Sequence, residues 1–164
     1  MTAAEPIVVV TTGGTIDKAY FDALSEYQIR ESVIAKLLQI ANVTLPYRVE
    51  EVSRKDSLDM TDADREQLRD RIAHAAETRV VVTHGTDTMT QSAEALKSIA
   101  GKTIVLTGAL APARFAESDA PFNLGMAFGV AQSAAAGVYI AMNGQVFRAG
   151  EVRKDRANAK FVAV

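Results

Sequence analysis

Five short segments hold most of the side chains able to do chemistry. They are "TTGGT" (11–15), "SRKDSLDM" (53–60), "THGTDTM" (83–89), "TGALAP" (107–112) and "MNGQ" (142–145). Hydroxyls dominate the set, with a few carboxylates and glycines, a composition suited to a small polar ligand carrying amide, ammonium and carboxylate groups. Glycine lets the backbone approach a ligand closely, and N–H groups beside Gly85 are placed to hold an oxyanion. Thr86 and Asp87 offer a hydroxyl and a charge at one spot. A phosphate site is the first alternative for "TTGGT". Neither G-x-G-x-x-G nor G-x-x-x-x-G-K-[ST] is met, so the dinucleotide and P-loop patterns fail. Each segment also has a plain structural reading. "TTGGT" can be a tight turn, Thr86, Asp87 or Thr88 a helix cap, and Lys154 in "VRKDR" a solvated charge.

The elements that must position these segments are legible as short β-branched runs alternating with helical patterns. Strands are expected at 7–11, 45–52, Arg79–Thr83, Thr103–Thr107 and 138–142. Helices are expected at 31–41, stopped by Asn42, at 61–77 behind a Thr or Asp cap, at 89–100 before Gly101, and at 122–136. Asn143-Gly144 signals a hairpin joining 138–142 to 145–147. Buried strands separated by helices predict an α/β fold: a three-layer α/β/α sandwich with a mostly parallel, flavodoxin-like sheet and a C-terminal β-hairpin. In such sheets ligands bind beyond the carboxyl ends of the strands, where the five segments fall. Residues 16–28, "IDKAYFDALSEYQ", show no clean helical face and read as a loop folded over the site. The tail from 148 to 164, polar and then apolar, is expected to close the domain or pack on a partner.

Bulk composition narrows the function classes. The 164 residues fit one domain, 1–164, with no internal repeat or linker. A net charge of −2 and sparse aromatics give no footprint for nucleic acid or an anionic membrane. The absence of cysteine removes disulfides and thiolate chemistry. His74 and His84 have no metal spacing and read as structural; no cofactor is expected. No G-x-S-x-G elbow is present. "MTAAEPIVVV" lacks the charged and apolar regions of a secretory signal, which makes the cytoplasm the expected compartment.

"TTGGTI" followed by "THGTDTM" resembles the bacterial-type L-asparaginase, or asparaginase–glutaminase, family. The resemblance continues through "DSLDMT" (56–61), "TGALAP", "SDAPFNL" (118–124) and "AMNGQVFRAGEVRK" (141–154), and so covers nearly the whole chain. It implies hydrolysis of the side-chain amide of L-asparagine, to L-aspartate and ammonia, by threonine hydroxyls without a metal. By the same resemblance Thr15 is the primary nucleophile, and Thr86, Asp87 and Lys154 are the second hydroxyl, its acid and its lysine. Ser57, with Leu58 beside it, binds the substrate α-carboxylate; Asp87 holds the α-ammonium; the Ala109 carbonyl meets the amide. N–H groups near Gly14, Gly85 and Thr86 would hold the oxyanion. A threonine hydroxyl attacks well only when a base takes its proton, and Lys154 serves as base only when neutral, a form that burial favours. The family's loop tyrosine is Tyr20 or Tyr27.

The family pattern also includes a second, C-terminal domain that supplies an acid to a neighbouring subunit's site. This sequence does not include it, so Glu151, Asp155 or Glu26 of an adjacent subunit is the expected substitute. A homodimer or homotetramer is expected, with the small-residue helix at 122–136 packing against another subunit. The rival readings are a non-catalytic amino-acid-binding module, an amidase preferring glutamine or another amide, and one subunit of a multi-part amidotransferase.

Overall fold

In a computed structural model, the apolar residues of each central strand divide by alternation between two cores. Val8 and Val10 lie in one, Ile7 and Val9 in the other; Val80 and Val82 part from Val81, and Ile104 and Leu106 from Val105. Burial on both faces is what a parallel sheet sandwiched between helices requires. The structure describes residues 3–21, 26–29 and 32–164, leaving out the side chains of 20, 21 and 26–29.

In chain order the elements are β1 (Ile7–Gly13), β2 (Lys18–Phe21), β3 (Glu26–Ile29), α1 (Ile34–Ile40), β4 (Tyr47–Lys55), α2 (Asp62–His74), β5 (Arg79–Thr83), α3 (Met89–Leu96), β6 (Thr103–Thr107), α4 (Ala120–Ser133), β7 (Gly137–Met142), β8 (Gln145–Arg148), β9 (Val152–Asp155) and β10 (Lys160–Ala163). Six strands form the main sheet in the order β4-β1-β5-β6-β7-β8. The first five are parallel and β8 is antiparallel. This is the flavodoxin-like order expected. α2 and α3 cover the face of Val8 and Val10, while α1 and α4 cover the face of Ile7 and Val9. The chain leaves β1 toward β4 on one side and returns to β5 on the other. The ends of β1 and β5 therefore flank the switch point where such sheets bind ligands.

Most expected elements are present with shifted ends. The helix expected at 31–41 begins only at Ile34, because the Val33 N–H is held by the Asp17 carboxylate, 3.0 Å away, and Ser32 Oγ accepts the Ile34 N–H. The helix expected to reach 100 ends at Leu96, where the Lys97 and Ile99 N–H groups turn back to Glu94 and Leu96 in tight i−3 bonds. α2 carries the expected cap as a full capping box, Thr61 and Asp64 exchanging hydrogen bonds. α4 starts at Ala120, with Pro121 in its first turn, and stops at Ser133. Asn143 and Gly144 both adopt positive φ, 55° and 69°, as the hairpin turn demands.

Two hairpins refine the sequence reading: one lies within the expected loop, and the other is how the tail closes the domain. Within the expected loop, β2 and β3 pair antiparallel. The tail forms β9 and β10, which close the α2–α3 face: Val152 and Phe161 join the core there, and Phe161 is fully buried. The Phe161 N–H donates to Asn143 Oδ1 at 2.8 Å, tying the tail to the β7–β8 turn. Among the described residues no helix is long and apolar enough to cross a membrane.

Phe161→Ala should cost about 3–5 kcal/mol of folding stability by urea denaturation, through lost burial and a residual cavity. Val162→Ala, on the half-exposed neighbour, should cost less than about 1 kcal/mol.

Candidate active site

The site begins where β1 runs out of side chains. Gly13 and Gly14 take φ of 101° and 87°, a region that disfavours every other residue. They also leave no room for one. A Cβ on Gly13 would sit 2.6 Å from the Lys55 backbone, and one on Gly14 would sit 2.5 Å from the Cα and N of Gly85. A Cβ on Gly85 would in turn lie 2.7 Å from Cβ and Oγ of Ser57. The ends of β1, β4 and β5 are thus pressed together backbone to backbone.

Buried hydrogen bonds lock that stack. Thr12 Oγ1 donates to the Thr83 carbonyl at 2.8 Å, Ser53 Oγ to the Thr12 carbonyl at 3.0 Å, and the Gly14 N–H to the Lys55 carbonyl at 2.9 Å. Thr88 Oγ1 donates to the Ser57 carbonyl at 2.8 Å, and the Thr88 N–H reaches Ser57 Oγ at 3.3 Å. Thr15 and Thr86 follow directly on the Gly14–Gly85 contact. Thr15 opens a 3-10 turn, Thr15–Asp17, and is half-buried; Thr86 is buried.

Charge gathers on the rim above these hydroxyls. Lys154, carried by β9, donates from Nζ to Thr86 Oγ1 and to Asp87 Oδ1, both at 2.8 Å. Arg156 Nε lies 3.6 Å from the same Asp87 oxygen. On the other side Lys18 pairs with Asp56 at 3.0 Å, and Asp56 also feels Lys154. Burial opposes ionisation of Asp56, but the Leu58 N–H and Lys18 outweigh it and hold the carboxyl below its usual range. Asp17 behaves oppositely. Burial pushes its carboxyl up against the Val33 N–H and the Ser32 hydroxyl.

His84 supports the β5 loop from beneath. Its Nδ1 lies 2.7 Å from the Gly85 carbonyl and its Nε2 2.7 Å from Ser92 Oγ. With Nδ1–H donating to the carbonyl, Nε2 accepts the serine proton, so the ring is neutral. Burial drives its pKa down to about 4. Gly108 packs here too, since a Cβ on it would sit 2.3 Å from the His84 carbonyl. The "TGALAP" loop is shaped by "SDAPFNL": Asp119 accepts the Leu110 and Ala111 N–H groups, and Asn123 Nδ2 donates to both Asp119 and the Gly108 carbonyl.

The geometry is matched by kinship. Residues 6–161 fit the family model described as "Asparaginase, N-terminal". The chain belongs to the asparaginase family. The glutaminase-asparaginase of Acinetobacter glutaminasificans is 31% identical over 90% of this chain and 49% of its own length. L-asparaginase 2 of Escherichia coli K12 is 32% identical, over 90% of this chain and 46% of its own. The crystal structure of L-asparaginase I from Vibrio cholerae superposes with a TM-score of 0.85 at 28% identity, over 97% of this chain and 51% of that one. This asparaginase-family chain spans about half the length of the relatives it matches.

The structure brings several of the expected residues into contact: Gly14 packs on Gly85 and Gly85 on Ser57, Lys154 hydrogen-bonds Thr86 and Asp87, and Thr15 follows Gly14 in the chain. Leu58 has an exposed side chain and its N–H is held by Asp56, and Ala109 is buried on the α1–α4 face. Tyr20 and Tyr27 are register partners in the β2–β3 hairpin; their side chains, and that of Glu26, fall outside the described residues. Asp155 is occupied locally, accepting from Asn158 Nδ2 at 2.8 Å, and Glu151 is exposed. His74 caps the end of α2, its Nδ1 2.7 Å from the Asp70 carbonyl. Among the described residues no three His, Asp or Glu side chains gather as a metal site requires. Sequence reasoning missed Lys18, Asp17 and Arg156. None of them left a local signal: Arg156 lies in the turn after β9, outside any strand alternation.

His84 sets a pH dependence. Its folded pKa lies below the unfolded value near 6.5, so the unfolded chain binds more protons between pH 6.5 and 4. Stability must fall as pH drops through that window and lose nothing more to this group below it. The loss should total roughly 3 kcal/mol in urea titrations, and His84→Gln should remove that part of the slope.

Proposed function

We propose that this chain is an amidohydrolase that cleaves the side-chain amide of an amino acid, with L-asparagine as substrate. One observation carries the reading. A lysine from β9 hydrogen-bonds a buried threonine hydroxyl and its neighbouring carboxylate at the switch point of the sheet, 68 residues away in sequence from Thr86. A structural ion pair needs no hydroxyl, and a helix cap needs no lysine. The names of the relatives, asparaginases and glutaminase-asparaginases, point to the same chemistry.

In this reading Asp87 takes the substrate ammonium and orients the carboxamide into the crevice. Thr15 Oγ attacks the carboxamide carbon, and the carbonyl oxygen becomes an oxyanion held by N–H groups near Gly14 and Thr86, each donor worth roughly 3 kcal/mol. The proton from Thr15 passes to Thr86 as Thr86 gives its own to the leaving nitrogen, the Lys154 ammonium holding the Thr86 oxygen by hydrogen bond, and ammonia departs. Water then cleaves the acyl-enzyme ester, restoring Thr15 and releasing the acid. Two hydroxyls and one lysine suffice to move the protons.

The test is ammonia release from L-asparagine and L-glutamine by the purified chain. Wild type should release ammonia from L-asparagine faster than from L-glutamine. Thr15→Ala, Thr86→Ala and Lys154→Met should each lower kcat by about 100-fold or more. Turnover that survives Thr15→Ala removes the nucleophile assignment. Calorimetric binding of L-aspartate without any turnover would favour the binding module instead.

A homo-oligomer belongs to the same proposal. α4 presents Phe122, 66% exposed, beside Gly125 and Gly129, around which a Cβ would meet nothing. Light scattering should report a dimer or tetramer that Phe122→Asp converts toward monomer.

A further inference from the structure

Arg156 has no place in the machinery described so far, yet it stands beside Asp87. Its Nε is 3.6 Å from Asp87 Oδ1, the oxygen that already accepts Lys154. Among the described residues it has no other carboxylate partner, and its side chain is 65% exposed while that of Asp87 is 31% exposed. Asp155, between the two cations in sequence, is drawn away by Asn158. Two cations, Lys154 on β9 and Arg156 in the turn that follows it, therefore flank a single carboxylate.

We propose that Arg156 binds the α-carboxylate of the ligand and makes the site selective for a free carboxyl group. This inference rests on the reading of the crevice as a site for an amino-acid amide. The ammonium nitrogen and carboxylate carbon of such a ligand share one α-carbon, so a carboxylate oxygen lies about 3 Å from the nitrogen. A ligand whose ammonium sits on Asp87 therefore carries its carboxylate within reach of a cation beside Asp87. The result is a closed ring of alternating charge: Arg156, Asp87, ammonium, carboxylate. A guanidinium suits the far end of the ring, because its two Nη groups can meet both carboxylate oxygens while Nε faces Asp87.

Ser57 alone meets less of the need. It is 1% exposed, its Oγ already accepts the Thr88 N–H, and its hydroxyl has one proton to give. A carboxylate has two oxygens to satisfy. Solvent screening limits what an exposed arginine contributes, so the effect is moderate and specific rather than all-or-none.

The experiment is isothermal titration of L-aspartate and of its α-methyl ester into wild type, Arg156→Gln and Arg156→Lys. Both ligands keep the ammonium; only the first has the α-carboxylate. Arg156→Gln should weaken L-aspartate by about fivefold to tenfold and leave the ester within about twofold, and Arg156→Lys should recover most of the loss. Equal loss for both ligands would show that Arg156 acts only through Asp87, and no loss for either would show that it does not act; each overturns the proposal. Wild type that binds L-aspartate without hydrolysing L-asparagine removes the hydrolase reading, while the ratio between the two ligands still decides the role of Arg156. Wild type that binds neither ligand overturns both.

Discussion

The site depends on a contact that involves no side chain: Gly14 against Gly85. With a Cβ on either residue, backbone atoms or Ser57 would lie within 2.7 Å, so the loops after β1 and β5 can meet only as glycines. Glycine carries an entropic cost of roughly 0.5–1 kcal/mol relative to alanine in regular structure. Here that cost is offset by buried bonds from Thr12, Ser53 and Thr88, each worth about 1 kcal/mol net. The hydroxyls that tie the loops together are thus distinct from those of Thr15 and Thr86. Thr12 and Thr88 bond to carbonyls and hold position, while the Thr86 hydroxyl accepts from Lys154.

Above this neutral foundation the charges alternate. Lys18, Asp56, Lys154, Asp87 and Arg156 come from four separate stretches of chain and form pairs only at the rim. Partial burial makes such pairs matter more than ordinary surface ion pairs, yet leaves them open to a charged ligand. His84 completes the division of labour. A charged imidazole would add a buried cation near Arg65; a neutral one gives hydrogen bonds with the Gly85 carbonyl and Ser92.

How far the molecule was legible from its sequence followed the range of the interactions. Strands such as Arg79–Thr83 and Thr103–Thr107 appeared with their predicted ends, because burial on both faces leaves a continuous β-branched run. The flavodoxin-like order also emerged, and with it the meeting of "TTGGT" and "THGTD" at the switch point. Helix ends were less legible: Asp17 decides where α1 starts from 16 residues away, and no local pattern records that. The two hairpins of four-residue strands were missed for a related reason. "KAYF" and "VRKD" alternate too briefly to separate from loop, and their pairing is decided by what they close over. Lys154 was found through resemblance to a family; Arg156, which breaks no pattern and matches none, needed coordinates.

The β9–β10 hairpin shows why fold and site cannot be separated here. Lys154 stands directly opposite Phe161 in the antiparallel register, and opposite residues share a face. Phe161 is fully buried among Val152 and the residues of α3, so its burial decides which face of the hairpin turns inward. Lys154 is carried inward with it, to a side-chain exposure of 15%. A slip of one residue would leave the core without its phenylalanine and bring Arg153 or Asp155 toward Thr86 instead. The register is therefore selected by hydrophobic burial, and the position of the lysine is a consequence of that selection. Lys154 is held to a 2.8 Å hydrogen bond because the aromatic across the ladder leaves it no other face to take.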